Sequence, residues 1–283
     1  MNNTFNINRF GKLLALDGRK YIRNFGITLA ILCGLNLVLW LLTLIFGFTM
    51  PTFPRYLTIY MALLLGIILV PSKAFGDINL PREGVGYAML PVSNLEKFFS
   101  YLLFCLLTPV VIYLGSWAVD SLLTLLPFGG FTHYIKHLGI GGVVKDFVVE
   151  MTELTDYNPI EEDFASYDSL MNMLGPNYNY NLILNIIFNT GLFMFGNLLF
   201  KTHKAGKTLA VMIGISYVLS MIMQLIVIGP LFHQLTENPE MFNSFETVTD
   251  FTTSTMSISN ILHTILAIGL YVGLFFKLKT QKY

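Results

Sequence analysis

Polar side chains set at helical spacing inside apolar sequence are the residues of this chain best placed to do chemistry. Asn181, Asn185, Asn189 and Asn197 recur at i, i+4, i+8 and i+16, so on a helix all four point nearly the same way. Asparagine facing lipid is costly, so such a stripe must face other helices or a wet cavity. It can act there through interhelical hydrogen bonds or as the wall of a substrate path. Asn36, Gln224 and His263 lie in other apolar runs and are candidate partners for the stripe. Asp120 is the single charged side chain within the apolar runs 25–48, 56–71, 98–126, 181–200, 209–230 and 258–276, and its place toward the end of the third predicts a hydrated carboxylate near the membrane interface.

Other combinations fall short of a reactive site. His133 and His137 have the i, i+4 spacing of two metal ligands on a helix. A zinc site needs three or four donors, and no further His or Cys lies nearby, so no metal is expected. Gly206-Lys207-Thr208 has the ending of a phosphate-binding loop, but that pattern also needs glycine where Lys201 stands, and a strand before it. There is no Ser-His-Asp order, no HExxH and no pair of intramembrane aspartates. The chain is therefore expected to carry no catalytic residues, no cofactor and no enzymatic activity of its own.

The elements that position these residues are membrane helices. Of 283 residues 54% are hydrophobic and 12% charged, where soluble proteins carry roughly 25% charged residues. With a mean hydropathy of +0.63 the chain cannot cover a globular surface with polar groups. Seventeen basic and seventeen acidic side chains cancel, which argues against nucleic acid as a partner. Cys33 and Cys105 both sit in apolar runs and suggest neither a disulfide framework nor a zinc site. Six spans are expected, near 25–48, 54–75, 94–126, 181–200, 209–230 and 258–276, each offering about the 20 residues that a hydrocarbon core roughly 30 Å thick requires. The expected fold class is thus an all-α polytopic membrane protein.

Charge sets the orientation. Segment 1–24 carries five basic residues, while loop 72–97, loop 201–208 and the tail carry three each, which makes fourteen on one side. The other side has Arg55, Lys136 and Lys145. The positive-inside rule then places both termini in the cytoplasm. A 24-residue apolar run without a small-residue cleavage site after it does not read as a signal peptide. Within 1–24 the apolar residues Phe5, Phe10, Leu13, Leu14, Tyr21 and Ile22 alternate with the basic ones, the pattern of an amphipathic helix lying in the inner headgroup layer.

Loop 72–97 holds Pro81, Gly84, Gly86 and Pro91 and then Ser93-Asn94-Leu95-Glu96, a capping box that should start the third helix near Asn94. Its mixture of apolar and charged side chains reads as a docking surface, with Tyr87, Leu90, Pro91, Val92, Ser93, Glu96 and Lys97 as the contact residues. On the other side, loop 127–180 is longer than a connector needs and contains an amphipathic pattern from Val143 to Leu154 followed by Glu161, Glu162, Asp163 and Asp168. Loop 231–257 carries acids and no Lys or Arg, and both loops are expected to cap the bundle.

Taken together, the six spans with both ends inside, the basic amphipathic segment and the structured second loop resemble the permease subunits of type-2 ABC transporters, the exporter class. The sharpest match is Met89-Leu90-Pro91-Val92-Ser93 with Lys97 four residues on, similar to the LPVS…K stretch at which such permeases enter the third helix. The resemblance implies a coupling helix in this loop, resting on a separate ATP-binding cassette ATPase subunit. It also implies a pair of permease chains, identical or different, in the cell (inner) membrane. Here Asn94-Leu95-Glu96 follows the serine where family members often have basic residues. Two other readings fit the composition: a stand-alone secondary transporter or channel, and a non-transporting membrane sensor or immunity component. The first is disfavoured by the absence of an internal repeat and of a midplane charge.

Overall fold

The computed structural model describes residues 5–80, 83–131, 133–135, 161–225 and 245–280; the side chains of 83, 161–179, 223 and 245–252 are not described. Among the described residues 86% are helical and none lies in a strand. Among the described residues eight α-helices follow one another: α1 (Ile7–Cys33), α2 (Leu35–Phe46), α3 (Thr52–Ala74), α4 (Glu83–Ala88), α5 (Asn94–Thr124), α6 (Glu161–Leu199), α7 (Lys204–Met223) and α8 (Phe245–Thr280). A 3₁₀ turn, Gly76–Asn79, stands between α3 and α4. Among the described residues six helical stretches are long and apolar enough to cross a membrane: Ile7–Phe46, Thr52–Ala74, Asn94–Thr124, Tyr180–Leu199, Lys204–Ile222 and Thr253–Thr280.

Long-range contacts fix the direction of each helix. Asn36 meets Asp120 and Tyr21 meets Thr108, so α1 and α2 run parallel to α5. Arg55 also meets Asp120 while Phe75 packs on Tyr101, so α3 runs antiparallel to them. Asn181 pairs with Asn260 and the Tyr271 hydroxyl donates to the Ile187 carbonyl, which sets α6 parallel to α8. One core, built on Phe25, Ala62, Val70, Phe75, Tyr101 and Met194, joins α1, α3, α5 and α6. Glycine permits the closest approaches. A Cβ on Gly66 would stand 2.2 Å from Ile112 Cδ1, and one on Gly196 would stand 2.0 Å from Thr208 Oγ1. α7 lies outermost, touching the bundle through α6 and α3.

Three boundaries differ from those read in the sequence. α1 runs through residue 24 without a break, so the basic amphipathic segment and the first span form one rod down to Gly34. Leu13, Asp17, Tyr21 and Phe25 share its buried face, which explains the continuity: the amphipathic stripe packs on the bundle along its whole length. Residues 161–180, assigned to an outer loop, are instead the first part of α6, continuous with the fourth span. Residues 245–257 likewise open α8. In both cases the helix begins in polar sequence that no apolar run announces, and acids at a helix start favour it electrostatically, as with Glu161-Glu162-Asp163. The amphipathic pattern at 143–154 lies outside the described residues.

Candidate functional site

Four segments converge at the end of the bundle where the basic residues gather. α5 begins as its sequence dictates: the Ser93 hydroxyl accepts from the Glu96 amide at 3.2 Å, and Glu96 Oε2 accepts from the Ser93 amide at 2.8 Å. Glu96 has a second task. Its Oε1 accepts the Asn6 amide at 2.7 Å and the Arg9 guanidinium at 3.1 Å, so one fully buried carboxylate fastens the start of α1 to the start of α5. Three donors, one of them cationic, replace the water that this carboxylate gives up. Lys97 turns the other way, donating to the Ala88 carbonyl at 2.9 Å with its ammonium 5.6 Å from the Tyr87 ring, and so holds the last turn of α4 against α5.

The 3₁₀ turn is tied to both halves of the molecule. Asp77 pairs with Lys20 of α1 at 3.1 Å. Asn79 Nδ2 donates to the Phe200 carbonyl at 3.3 Å, the Lys204 ammonium donates to the Gly76 carbonyl, and Asn197 Nδ2 reaches the Phe75 carbonyl at 3.2 Å. Phe75 and Ile78 are buried in the core beneath these bonds. Residues 75–80 and 83–97 are thus bonded to α1, α5 and the α6–α7 turn at once.

Of the seven contact residues read from the sequence, Tyr87, Ser93, Glu96 and Lys97 are buried and build the loop from within. Leu90 and Val92 are half-buried and Pro91 is exposed. The outward face is made instead by Met89, which is 77% exposed, together with Pro91, Asn94 and Leu95. Spacing within a loop does not say which residues its own turns will consume: Met89 belongs to the apolar set that the sequence gives this loop, while Leu95 enters it only as a member of the capping box.

At the opposite end Asp120 is not hydrated. It is fully buried and bound by Arg55 through Nε to Oδ1 at 3.0 Å and Nη2 to Oδ2 at 2.5 Å, with Asn36 Nδ2 on Oδ1 at 2.9 Å. Arg55 also donates to the His133 carbonyl at 2.6 Å and to Thr124 Oγ1 at 3.0 Å, and its guanidinium carbon lies 4.1 Å from the Phe131 ring centroid. The chain after α5 is laced down around this pair, with Gly130 bonded to Met50 and Thr43, and Trp117 Nε1 donating to the Ile135 carbonyl. Asp120 and Arg55 are 65 residues apart, and only the antiparallel packing of α3 on α5 joins them.

The asparagine stripe divides into two structural roles. Asn181 bonds Asn260 at 2.7 Å across α6 and α8, and Asn185 bonds Asn181. Asn197, buried, bonds the Tyr101 hydroxyl at 3.1 Å besides the Phe75 carbonyl. Asn189 is half-buried between these groups. The expected partners do not meet the stripe. Asn36 serves Asp120, Gln224 is exposed at the end of α7, and His263 faces its own Ser259 carbonyl at 2.8 Å and the Phe188 ring. The partner that does meet it, Asn260, shares one turn of α8 with His263 and is a polar residue in an apolar run, so the same signal could have found it. No group of three or more His, Cys, Asp or Glu side chains able to hold a metal occurs among the described residues, and His137 lies outside them. No family model, curated protein or solved structure matches this chain.

Proposed function

We propose that this chain is the permease subunit of an ATP-driven exporter in the cell (inner) membrane, with both termini in the cytoplasm. A separate ATP-binding cassette ATPase would dock on segment 75–97. The observation that carries the reading is the bonding of that segment: Glu96, Asp77, Asn79 and Gly76 tie it to α1, α5 and the α6–α7 turn at once. A permease energised by a separate subunit must receive work through a contact surface, and a push on this one reaches α1, α5 and the α6–α7 turn. The exposed Met89, Pro91 and Leu95 supply an apolar face for a partner beside the buried capping box. The fourteen basic residues of this end support its cytoplasmic placement. The stripe asparagines act in this reading as interhelical hydrogen bonds, in keeping with the contacts of Asn181, Asn185 and Asn197.

The test is co-purification. The parent chain extracted in detergent should retain an ATPase subunit, and Met89→Glu with Leu95→Glu should lose it while melting at the parent temperature. Substrate movement in vesicles should need ATP hydrolysis. Movement that persists in energy-depleted vesicles under an ion gradient would point to a stand-alone transporter and overturn the proposal.

A further inference from the structure

Three acids among the described residues are buried, and their surroundings differ in kind. Glu96 receives three donors, from Asn6, Arg9 and Ser93. Asp120 also receives three, two from Arg55 and one from Asn36. Asp17 is 1% exposed, and its partner is the Ser100 hydroxyl, at 2.5 Å from Oδ2. Its other oxygen, Oδ1, is buried with no hydrogen-bond partner. Of the two cations that follow on α1, Arg19 two residues on is exposed, and Lys20 one turn along is engaged by Asp77 at 3.1 Å; α5 presents Ser100 to the carboxyl. The charged groups further along α5 are committed elsewhere, Lys97 to Ala88 and Glu96 to α1. Leu13, Tyr21 and Phe25, the other buried residues of this face, are apolar or, as Tyr21, bonded to Thr108.

A buried carboxylate that keeps its charge needs partners for both oxygens, and one that lacks them takes up a proton instead. One O–H···O bond links Asp17 and Ser100 in either protonation state, so the second oxygen discriminates: a bare Oδ1 is tolerable as the carbonyl of an acid and costly as half of an anion. We propose that Asp17 is a proton-binding site in the seam between α1 and α5, filled in this conformation. Parting the two helices hydrates the acid and passes its proton to interfacial water, which makes the seam a proton-linked joint. The inference does not rest on the transport reading.

Infrared spectroscopy of the full-length protein in detergent at neutral pH tests it. The parent should show a carboxylic-acid C=O band that is lost in Asp17→Asn, retained in Asp120→Asn, and shifted in Ser100→Ala, where the acid survives without its partner. A parent without the band, an unchanged band in Asp17→Asn, or an unshifted band in Ser100→Ala would overturn the assignment. A second readout is stability. A group protonated in the folded chain and ionised in the unfolded one makes stability fall as pH rises from acid through neutral. Asp17→Asn should flatten that slope, and equal slopes in the parent and the variant would refute the linkage.

Discussion

Replacing Arg55 by methionine is the sharpest perturbation this structure suggests. The substitution keeps an apolar stem of similar reach and deletes the guanidinium, leaving Asp120 fully buried with Asn36 as its remaining donor. It also removes the bonds to the His133 carbonyl and Thr124, so the lacing of residues 130–135 loosens. Breaking a buried pair from one side costs about 3–5 kcal/mol, because the abandoned charge has lost its water and its partner. At about 2 °C per kcal/mol for a chain of this size, the midpoint should fall by roughly 6–10 °C. The assay is thermal unfolding in detergent, read by a thiol-reactive fluorophore, since Cys105 is buried and Cys33 half-buried in the folded chain. The double variant Arg55→Met with Asp120→Leu removes both charges and should recover most of the loss. An Arg55→Met protein melting within about 2 °C of the parent, or a double variant worse than either single one, would refute a buried ion pair at this place.

Four further substitutions test the packing and the joints. Gly196→Ala places a Cβ within 2.0 Å of Thr208 Oγ1 and should destabilise by about 1–3 kcal/mol, with partial rescue by Thr208→Ala, measured by the same melt. Ser93→Ala removes the cap of α5 and should cost about 1 kcal/mol. Glu96→Gln should do more, releasing the start of α1 as well, so hydrogen exchange should accelerate at residues 7–12 in Glu96→Gln and not in Ser93→Ala. Gly130→Ala would set a Cβ 2.1 Å from the Phe48 carbonyl and should free residues 130–135, seen as faster proteolysis after α5.

Much of the architecture is written in local sequence. Apolar runs of about twenty residues demand helices, because a backbone in hydrocarbon must satisfy itself. Ser93 and Glu96, three residues apart, specify the first turn of α5 without outside help, and the structure starts the helix at Asn94 as that pair requires. Where polar sequence opens a helix, as at Glu161 and Phe245, the apolar pattern carries no signal and the boundary passed unseen.

What the sequence could not decide is which distant side chains meet. Glu96 reads as half of a capping box, yet half of its bonding goes to Asn6 and Arg9, about ninety residues away. Asp120 reads as a wet interfacial charge, yet it is dry, because α3 brings Arg55 to it. Asp17 reads as one more charge in a basic amphipathic segment, yet it is enclosed between α1 and α5. In each case the local pattern states that a polar group is present, and only helix packing states whether water or a partner across the bundle will satisfy it. Desolvation is a property of the assembled neighbourhood, so the charges at the heart of this molecule acquire their chemistry from the tertiary structure.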